Sequence, residues 1–301
     1  MDSITPLIVV GYGYLGKRLV DHCVLRQRPV SVLTRSADHV AALDDLGIDY
    51  QILDLDARGA SLALPIAGQT LIYTVPPATA GQDHRLSGLL NLFPDGPCRL
   101  IYISTSGVYG DCGGQLVDES APANPGSERG RRRLAAEQTV RDWAEANQVS
   151  WTILRVPGIY GPHRLPLASL VRGEAFLRPE DSPPGNRIHV DDLVACCLAA
   201  ADHSNATGLF NVGDGNPLSA TAFAQATANA TGLPEPELVD RNDAQQRISP
   251  GRWSFLSESR QLDTQRMRRD LKVVPRYGNP LEGLRASLKE MGLSPDNSSQ
   301  G

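Results

Sequence analysis

This 301-residue chain has little that would tie it to a membrane, to nucleic acid or to an oxidising compartment. No apolar run reaches the ~18 residues a membrane span needs. Met1-Asp2-Ser3 leads toward a strand without the basic stretch and long apolar stretch of a secretion signal, so a cytoplasmic protein is expected. Lys and Arg total 29 against 34 Asp and Glu, a formal charge of -5, and no basic excess marks a nucleic-acid or anionic-membrane surface. Cysteine is limited to Cys23, Cys98, Cys112, Cys196 and Cys197, with no C-x-x-C pair and no Cys/His ligand spacing. Their odd number does not suggest a disulfide framework, so reduced thiols and no metal site are expected. No internal repeat is visible. Hydrophobic residues nonetheless make up 41% of the chain, enough to bury a full core in one large domain, or one domain with a smaller lobe.

The most informative segment is Ile8 to Val20, where an apolar run enters Gly11-Tyr12-Gly13-Tyr14-Leu15-Gly16 and continues into a helical pattern. In a strand-turn-helix context such a G-x-G-x-x-G turn reads as a dinucleotide-binding start. Gly11 allows the tight turn, Gly13 lets the backbone approach a pyrophosphate, Gly16 lets helix and strand pack, and the helix N-terminus offers N–H groups. Further strand-like runs are Val30 to Thr34, Tyr50 to Asp54, Thr70 to Val75, Arg99 to Ser104, Ser150 to Arg155 and Leu209 to Val212. They are continuous apolar runs, as parallel strands covered on both faces should be, and they alternate with helical patterns. The expected fold is therefore α/β, a doubly wound parallel (Rossmann) sheet of about seven strands, with ligands at the strand C-terminal ends and a small C-terminal substrate lobe. Leu134 to Asn147 and Asp191 to Ala201 read as helices, and Ser219 as the N-cap of a helix stopped by Gly232. Residues 1–161 are expected to form the NADP-binding core. Residues 162–293 would complete the sheet and form the lobe, and 294–301 would be a disordered tail.

Folds that prefer NAD place an acidic residue at the end of the second strand, roughly 20 residues past the glycines. Here that place reads Thr34-Arg35-Ser36, with no Asp or Glu between Pro29 and Ala37. Arg35 can grip a 2'-phosphate, with Thr34 and Ser36 as neutral donors, so NADP(H) is the expected cofactor; NAD is the alternative if Arg35 is merely a solvated surface residue.

Several segments place the chain beside a known group. Gly11 to Gly16, Asp54-Leu55, Ile101 to Gly110 with its Val-Tyr-Gly end, Leu154 to Pro162, Ile188-His189-Val190-Asp191-Asp192 and Phe210 to Gly215 resemble, in order and spacing, the extended short-chain dehydrogenase/reductase superfamily of nucleotide-sugar epimerases and dehydratases. Ser257 to Asp263 and Pro275 to Gly278 resemble the end of an atypical bacterial branch described as NAD-dependent epimerase/dehydratase-like. The resemblance implies that Asp54 and Leu55 meet the adenine, that Val75, Pro76 and Pro77 line the nicotinamide side, and that Tyr14, Leu15, Ser104, Pro157, Gly158 and Ile159 also touch cofactor. It puts Thr105 at the Ser/Thr position that hydrogen-bonds a substrate oxygen, although the Ser104-Thr105-Ser106 cluster also reads as a strand-end cap. The superfamily's Tyr-x-x-x-Lys pair falls on Arg129 and Arg133. A guanidinium at 133 can bond ribose or phosphate but cannot exchange a proton as a phenol does, and the run Gly126 to Arg133 reads equally as a solvated helix start. Tyr109, Tyr160 and His163 are the other candidate proton carriers near the strand ends, the two tyrosines also reading as packing residues, while the resemblance gives His189 a structural tie.

Two functions of different classes follow. One is an NADP(H)-dependent oxidoreductase or epimerase/dehydratase-like enzyme with an atypical active site, acting on a small polar or sugar-like molecule as a monomer or homodimer. The other is a catalytically silent NADP(H)-binding sensor, motivated by the two arginines.

Overall fold

Alternating strands and helices build a seven-stranded parallel sheet in the computed structural model, which describes residues 5–57, 61–65, 67–78, 84–93, 96–203 and 205–293. The sheet strands are β1 (Leu7–Val10), β2 (Val30–Thr34), β3 (Asp49–Ile52), β4 (Thr70–Tyr73), β5 (Arg99–Thr105), β7 (Ser150–Val156) and β11 (Gly208–Asn211). They lie in the order β11-β7-β5-β4-β1-β2-β3. Three short parallel pairs stand apart from it: β6 (Leu116–Val117) with β13 (Gln261–Leu262), β8 (Gly158–Tyr160) with β10 (Arg187–His189), and β9 (Phe176–Leu177) with β12 (Leu238–Val239). The helices are α1 (Tyr14–Leu25), α2 (Val40–Asp45), α3 (His84–Leu90), α4 (Glu128–Ala146), α5 (Leu167–Val171), α6 (Val190–Asp202), α7 (Ala220–Thr231), α8 (Arg241–Arg247), α9 (Pro250–Leu256), α10 (Gln265–Asp270) and α11 (Pro280–Glu290).

The sheet is covered on both faces, which explains the continuous apolar runs. Successive side chains of a strand point to opposite faces. Leu7 and Val9 of β1, with Ile101 and Ile103 of β5, enter a core shared with α1 and α6, whereas Ile8, Val10, Leu100 and Tyr102 enter one shared with α3 and α4. The chain runs outward from β1 to β3 on one side and from β4 to β11 on the other, so the order reverses between β1 and β4. A crevice opens at such a reversal, beyond the strand C-terminal ends.

The expected strands all fall on sheet strands. β3 and β4 end at Ile52 and Tyr73, short of Asp54 and Val75, because those residues have left the ladder and turn toward the crevice. Ser219 and Gly232 cap α7 as expected; the Ser219 side chain accepts from the Ala222 amide and Gly232 adopts φ 67°. Helix α4 begins at Glu128 and not at Leu134. Ser127 caps it by accepting from the Gly130 amide at 3.1 Å, and the arginine run forms its first turns. The expected tail 294–301 lies outside the described residues.

Candidate functional site

The glycine turn sits at the sheet's reversal point. Gly11 has φ 95°, and a Cβ there would stand 2.7 Å from Thr74 Oγ1, which itself donates to the Val10 carbonyl. A Cβ on Gly16 would come within 1.9 Å of the Gly11 carbonyl oxygen, so the close helix–strand approach needs glycine. Gly13 is the N-cap of α1, with no side-chain cap on the first-turn amides and open space where its Cβ would be. Those amides are a ready site for an anion.

From this turn one cavity of about 240 Å³ runs toward the end of β2 and is lined by Gly11, Gly13, Thr34, Arg35, Ser36, Asp54, Leu55, Val75 and Pro76. Pro77 is buried and lines neither this cavity nor the larger one, since the chain has already turned inward after Pro76. The sequence reading missed the acidic partner here. Asp56 lines the same cavity and accepts from Arg85 Nε and Nη2 at 2.7 Å each and from His84 Nε2 at 2.8 Å, with Arg35 Nη1 at 4.0 Å. The Arg85 bonds, followed by His84, hold its carboxyl at about 2. Ser36 donates to Asp38, and Thr34 shares a hydrogen bond with His39 Nδ1 at 2.8 Å.

A larger cleft of about 970 Å³ continues from the same glycines past the ends of β4, β5 and β7. Tyr14, Leu15, Ser104, Thr105, Arg133, Pro157, Gly158 and Ile159 all line it, together with Arg129 and residues of the C-terminal segment such as Phe255 and Arg187. The Thr105 hydroxyl accepts from the Gly107 amide at 3.2 Å, which leaves its proton for a substrate oxygen and also makes it the cap of the short turn Ser106–Tyr109. Ser104 is committed elsewhere: it donates to Glu137 Oε1 at 2.6 Å. Glu137 of α4, fully buried, also accepts from Arg155 of β7 at 2.8 and 3.1 Å, and this triad joins helix and two strands under the cleft floor. Arg133 Nη1 donates to the Ile103 carbonyl and, at 3.2 Å, to the Tyr102 hydroxyl. Arg129 lies 4.9 Å from the Phe255 ring centre; lost solvation and then the charge of Arg133 lower its pKa, yet a guanidinium stays protonated near neutrality.

Of the candidate proton carriers, the two tyrosines take their packing role, His163 lies away from both cavities, and His189 makes the structural tie that the resemblance implied. Tyr109 is not at the cleft. The turn Ser106–Tyr109 rotates it into a core with Val108, Val117 and Leu262, where its hydroxyl donates to Asn211 at 2.8 Å and burial raises its pKa. Tyr160 borders the cleft, but its ring packs against Phe223 and its hydroxyl faces α11 so closely that a Cβ on Gly283 would lie 2.2 Å away, and burial pushes the phenol far up. His163 lines neither cavity. His189 caps α6, accepting from the Asp191 amide, and shares a hydrogen bond with Ser287; burial pulls it to about 4. No group of His, Cys, Asp and Glu among the described residues could hold a metal ion, and no described helix is long and apolar enough to cross a membrane. Arg187, Arg252, Phe255 and Arg260 were not found from sequence, because no spacing rule links them to the strands they face.

A model of the NAD dependent epimerase/dehydratase family matches residues 86–213. A UDP-glucose 4-epimerase of Streptomyces lividans is 24% identical over 273 residues, which cover 77% of this chain and 83% of that protein. Among solved structures, a functionally unknown conserved protein from Silicibacter pomeroyi DSS superimposes with TM-score 0.81 at 27% identity, covering 95% of this chain and 99% of that one. A UDP-glucuronic acid 4-epimerase from Bacillus cereus, solved in complex with NAD, gives TM-score 0.72 at 16% identity over 95% and 98% of the two chains.

Proposed function

We propose, from the premise that this chain carries the NAD dependent epimerase/dehydratase domain of the extended short-chain dehydrogenase/reductase superfamily, that it is an NADP(H)-binding oxidoreductase or epimerase/dehydratase-like enzyme acting on a small polar, sugar-like molecule. The observation that carries this reading is the uninterrupted surface from the capless start of α1 to the Thr105 hydroxyl. A dinucleotide whose pyrophosphate sits on α1 would reach the end of β2 with its adenosine and Thr105 with its nicotinamide. Residues 162–293, which supply β11 to the sheet and much of the cleft's outer wall, would form the substrate lobe.

When bound, the cofactor supplies a hydride donor or acceptor; the protein's part is placement. The α1 amides take the pyrophosphate and Arg35 takes the 2'-phosphate. Thr105 donates to the reacting oxygen of the substrate. Arg133 is tied to the Ile103 carbonyl, which points the rest of its guanidinium along the cleft wall, where it stabilises negative charge without exchanging a proton. The Ser104–Glu137–Arg155 triad holds the strand ends that carry these groups.

A second reading, a silent NADP(H)-binding sensor, draws on one observation: arginines stand at 129 and 133, and the two tyrosines on the cleft lining, Tyr14 and Tyr160, have buried hydroxyls. Calorimetry with NADPH and NADH on the natural protein and on Arg35→Glu tests the cofactor assignment. A loss of at least tenfold confined to NADPH is expected, and equal losses overturn it. Turnover of nucleotide sugars, followed by the cofactor's absorbance and by NMR of the sugar, separates the readings. The enzyme reading expects a rate that Thr105→Val lowers with cofactor affinity unchanged; cofactor binding with no turnover favours the sensor.

A further inference from the structure

Helix α4 sorts its arginines by face. Positions 129 and 133 are four apart and share one side of the helix, and both line the cleft. Arg131 and Arg132 instead meet Glu128, at 2.9 and 3.5 Å. The second pair therefore has a carboxylate, and the pair on the cleft has none among the described residues. Arg129 rests on the Phe255 ring, and the hydrogen-bond partners of Arg133 are a carbonyl and a phenol, both neutral. Two like charges one helical turn apart disfavour each other, so an arrangement with no acid between them is poised for an anion from outside.

The rest of the cleft wall has the same bias. Six arginines line it, Arg129, Arg133, Arg164, Arg187, Arg252 and Arg260, against one acidic residue, Glu258. Arg252 is paired with Glu174 and Arg260 with Glu258. The other four have no carboxylate within 4.0 Å among the described residues. Arg187 is only 8% exposed, and although the charge of Asp214 acts on it, its Nη1 has no hydrogen-bond partner among the described residues. A buried guanidinium with an unmet donor is costly unless a ligand or water completes it. In a chain of net charge -5 this bias does not follow from composition.

We propose that the end of the cleft beside Thr105 is an oxyanion site, where Arg129 and Arg133 hold a carboxylate or phosphate on the substrate next to the carbon that reacts. The inference rests on the reading of this cleft as the substrate site and names its substrate class: acidic molecules, not neutral ones. Arg129 contributes binding and charge stabilisation. It replaces the shape of a proton-transferring side chain but not its chemistry.

The test is calorimetry on cofactor-loaded protein at low ionic strength, with sodium malonate, inorganic phosphate and the neutral analogue malonamide as probes. Loading the cofactor keeps the anions off the α1 terminus. One of the two anions is expected to bind at least tenfold more tightly than malonamide, and which one does so distinguishes a carboxylate from a phosphate substrate. Arg129→Gln and Arg133→Gln should each weaken that anion at least fivefold, whereas Arg131→Gln, on the other face of the helix, should leave it unchanged; thermal melts check that the variants are folded. Anions no better than malonamide, or equal losses in all three variants, overturn the proposal. If cofactor binds normally and the anion effect is absent, the oxyanion site fails and the proposed function stands. If no cofactor binds, the same titration on the free protein still decides the oxyanion site, while the cofactor reading fails.

Discussion

The two ends of the cleft treat arginine in opposite ways. At the end proposed for the adenosine, Arg85 forms a two-pronged bond to Asp56, with Arg35 4.0 Å away, so an arriving phosphate meets cations that already have an anion. At the end proposed for the reaction, Arg129 and Arg133 have, among the described residues, an aromatic ring, a carbonyl and a phenol in place of a carboxylate. The first arrangement makes ligand choice a competition between Asp56 and the phosphate; the second leaves attraction unopposed. Counting arginines in the sequence would have rated the ends alike. What separates them is whether a carboxylate from another loop arrives, and that is a property of the fold.

The comparison presumes that the reacting end is held rigid, which is the role of Glu137. Glu137→Ala would leave Arg155, 2% exposed, as an uncompensated buried charge and Ser104 without its acceptor. The expected loss is about 3–5 kcal/mol, read from denaturant unfolding. A loss under about 1 kcal/mol would mean that the triad does not support the cleft floor. Next in size, Gly13→Val should weaken both cofactors at least a hundredfold with the fold intact. The open space beside Gly13 is where a pyrophosphate must pass, and no protein atom lies within 4 Å of the added Cβ to destabilise the chain. Near-normal cofactor binding by a folded variant would remove the shared anchor of both ends.

A buried carboxylate behind the cleft, beside Arg187 in a smaller pocket, has its own signature. Asp214 Oδ2 has no hydrogen-bond partner among the described residues, and burial, partly offset by the Asn216 amide and the charge of Arg187, raises its pKa from 3.8 to about 7. The folded state then holds the proton more tightly than the unfolded one. The stabilisation is fully present below about pH 4 and is lost as pH rises to about 7, so stability falls across that window. Between pH 5 and 7 Asp214→Asn should remove roughly 2 kcal/mol of that fall. His189, pulled down to about 4 by burial, acts in the reverse direction but is common to both proteins, so the difference between their melting curves isolates Asp214. Parallel curves would show that Asp214 is solvated in solution.

Much of the fold was legible because parallel strands buried on both faces leave continuous apolar runs, and all seven sheet strands were found that way. The start of α4 was not, since its first turns carry arginines in place of apolar periodicity; Ser127, a capping residue, was the available signal. At the site, the glycine turn could be placed from sequence because it follows β1 directly, whereas Arg129 and Arg133, inside α4, were placed only through the resemblance, which sets them at the superfamily's Tyr-x-x-x-Lys positions. Tyr109 was open to two readings, proton carrier or packing residue, because it follows β5 directly; the turn at Ser106–Tyr109 rotates it into the core and gives it the second role. Asp56 escaped because the search for an acid near Arg35 followed β2, and the acid comes from the neighbouring β3 loop. Phe255 and Arg187 arrive from distant segments, and local pattern cannot show which far residue closes a cavity.

The finest test of the comparison is Asp56→Asn. The carboxylate is charged throughout the physiological range, since Arg85 and His84 hold its pKa at about 2. It therefore repels a 2'-phosphate seated between Arg35 and Arg85, while its oxygens suit the ribose hydroxyls of a cofactor that lacks the phosphate. Asparagine keeps the shape and one acceptor and removes the charge. NADPH affinity relative to NADH should rise about five- to tenfold in calorimetric titrations. The gain should shrink with added salt, because Arg35 is 72% exposed and such pairs are strongly screened. An unchanged ratio in Asp56→Asn, alongside an NADPH-specific loss in Arg35→Glu, would show that Asp56 swings clear when cofactor binds. The adenosine end would then be as open to anions as the reacting end, and the contrast between them would belong to the unliganded protein alone.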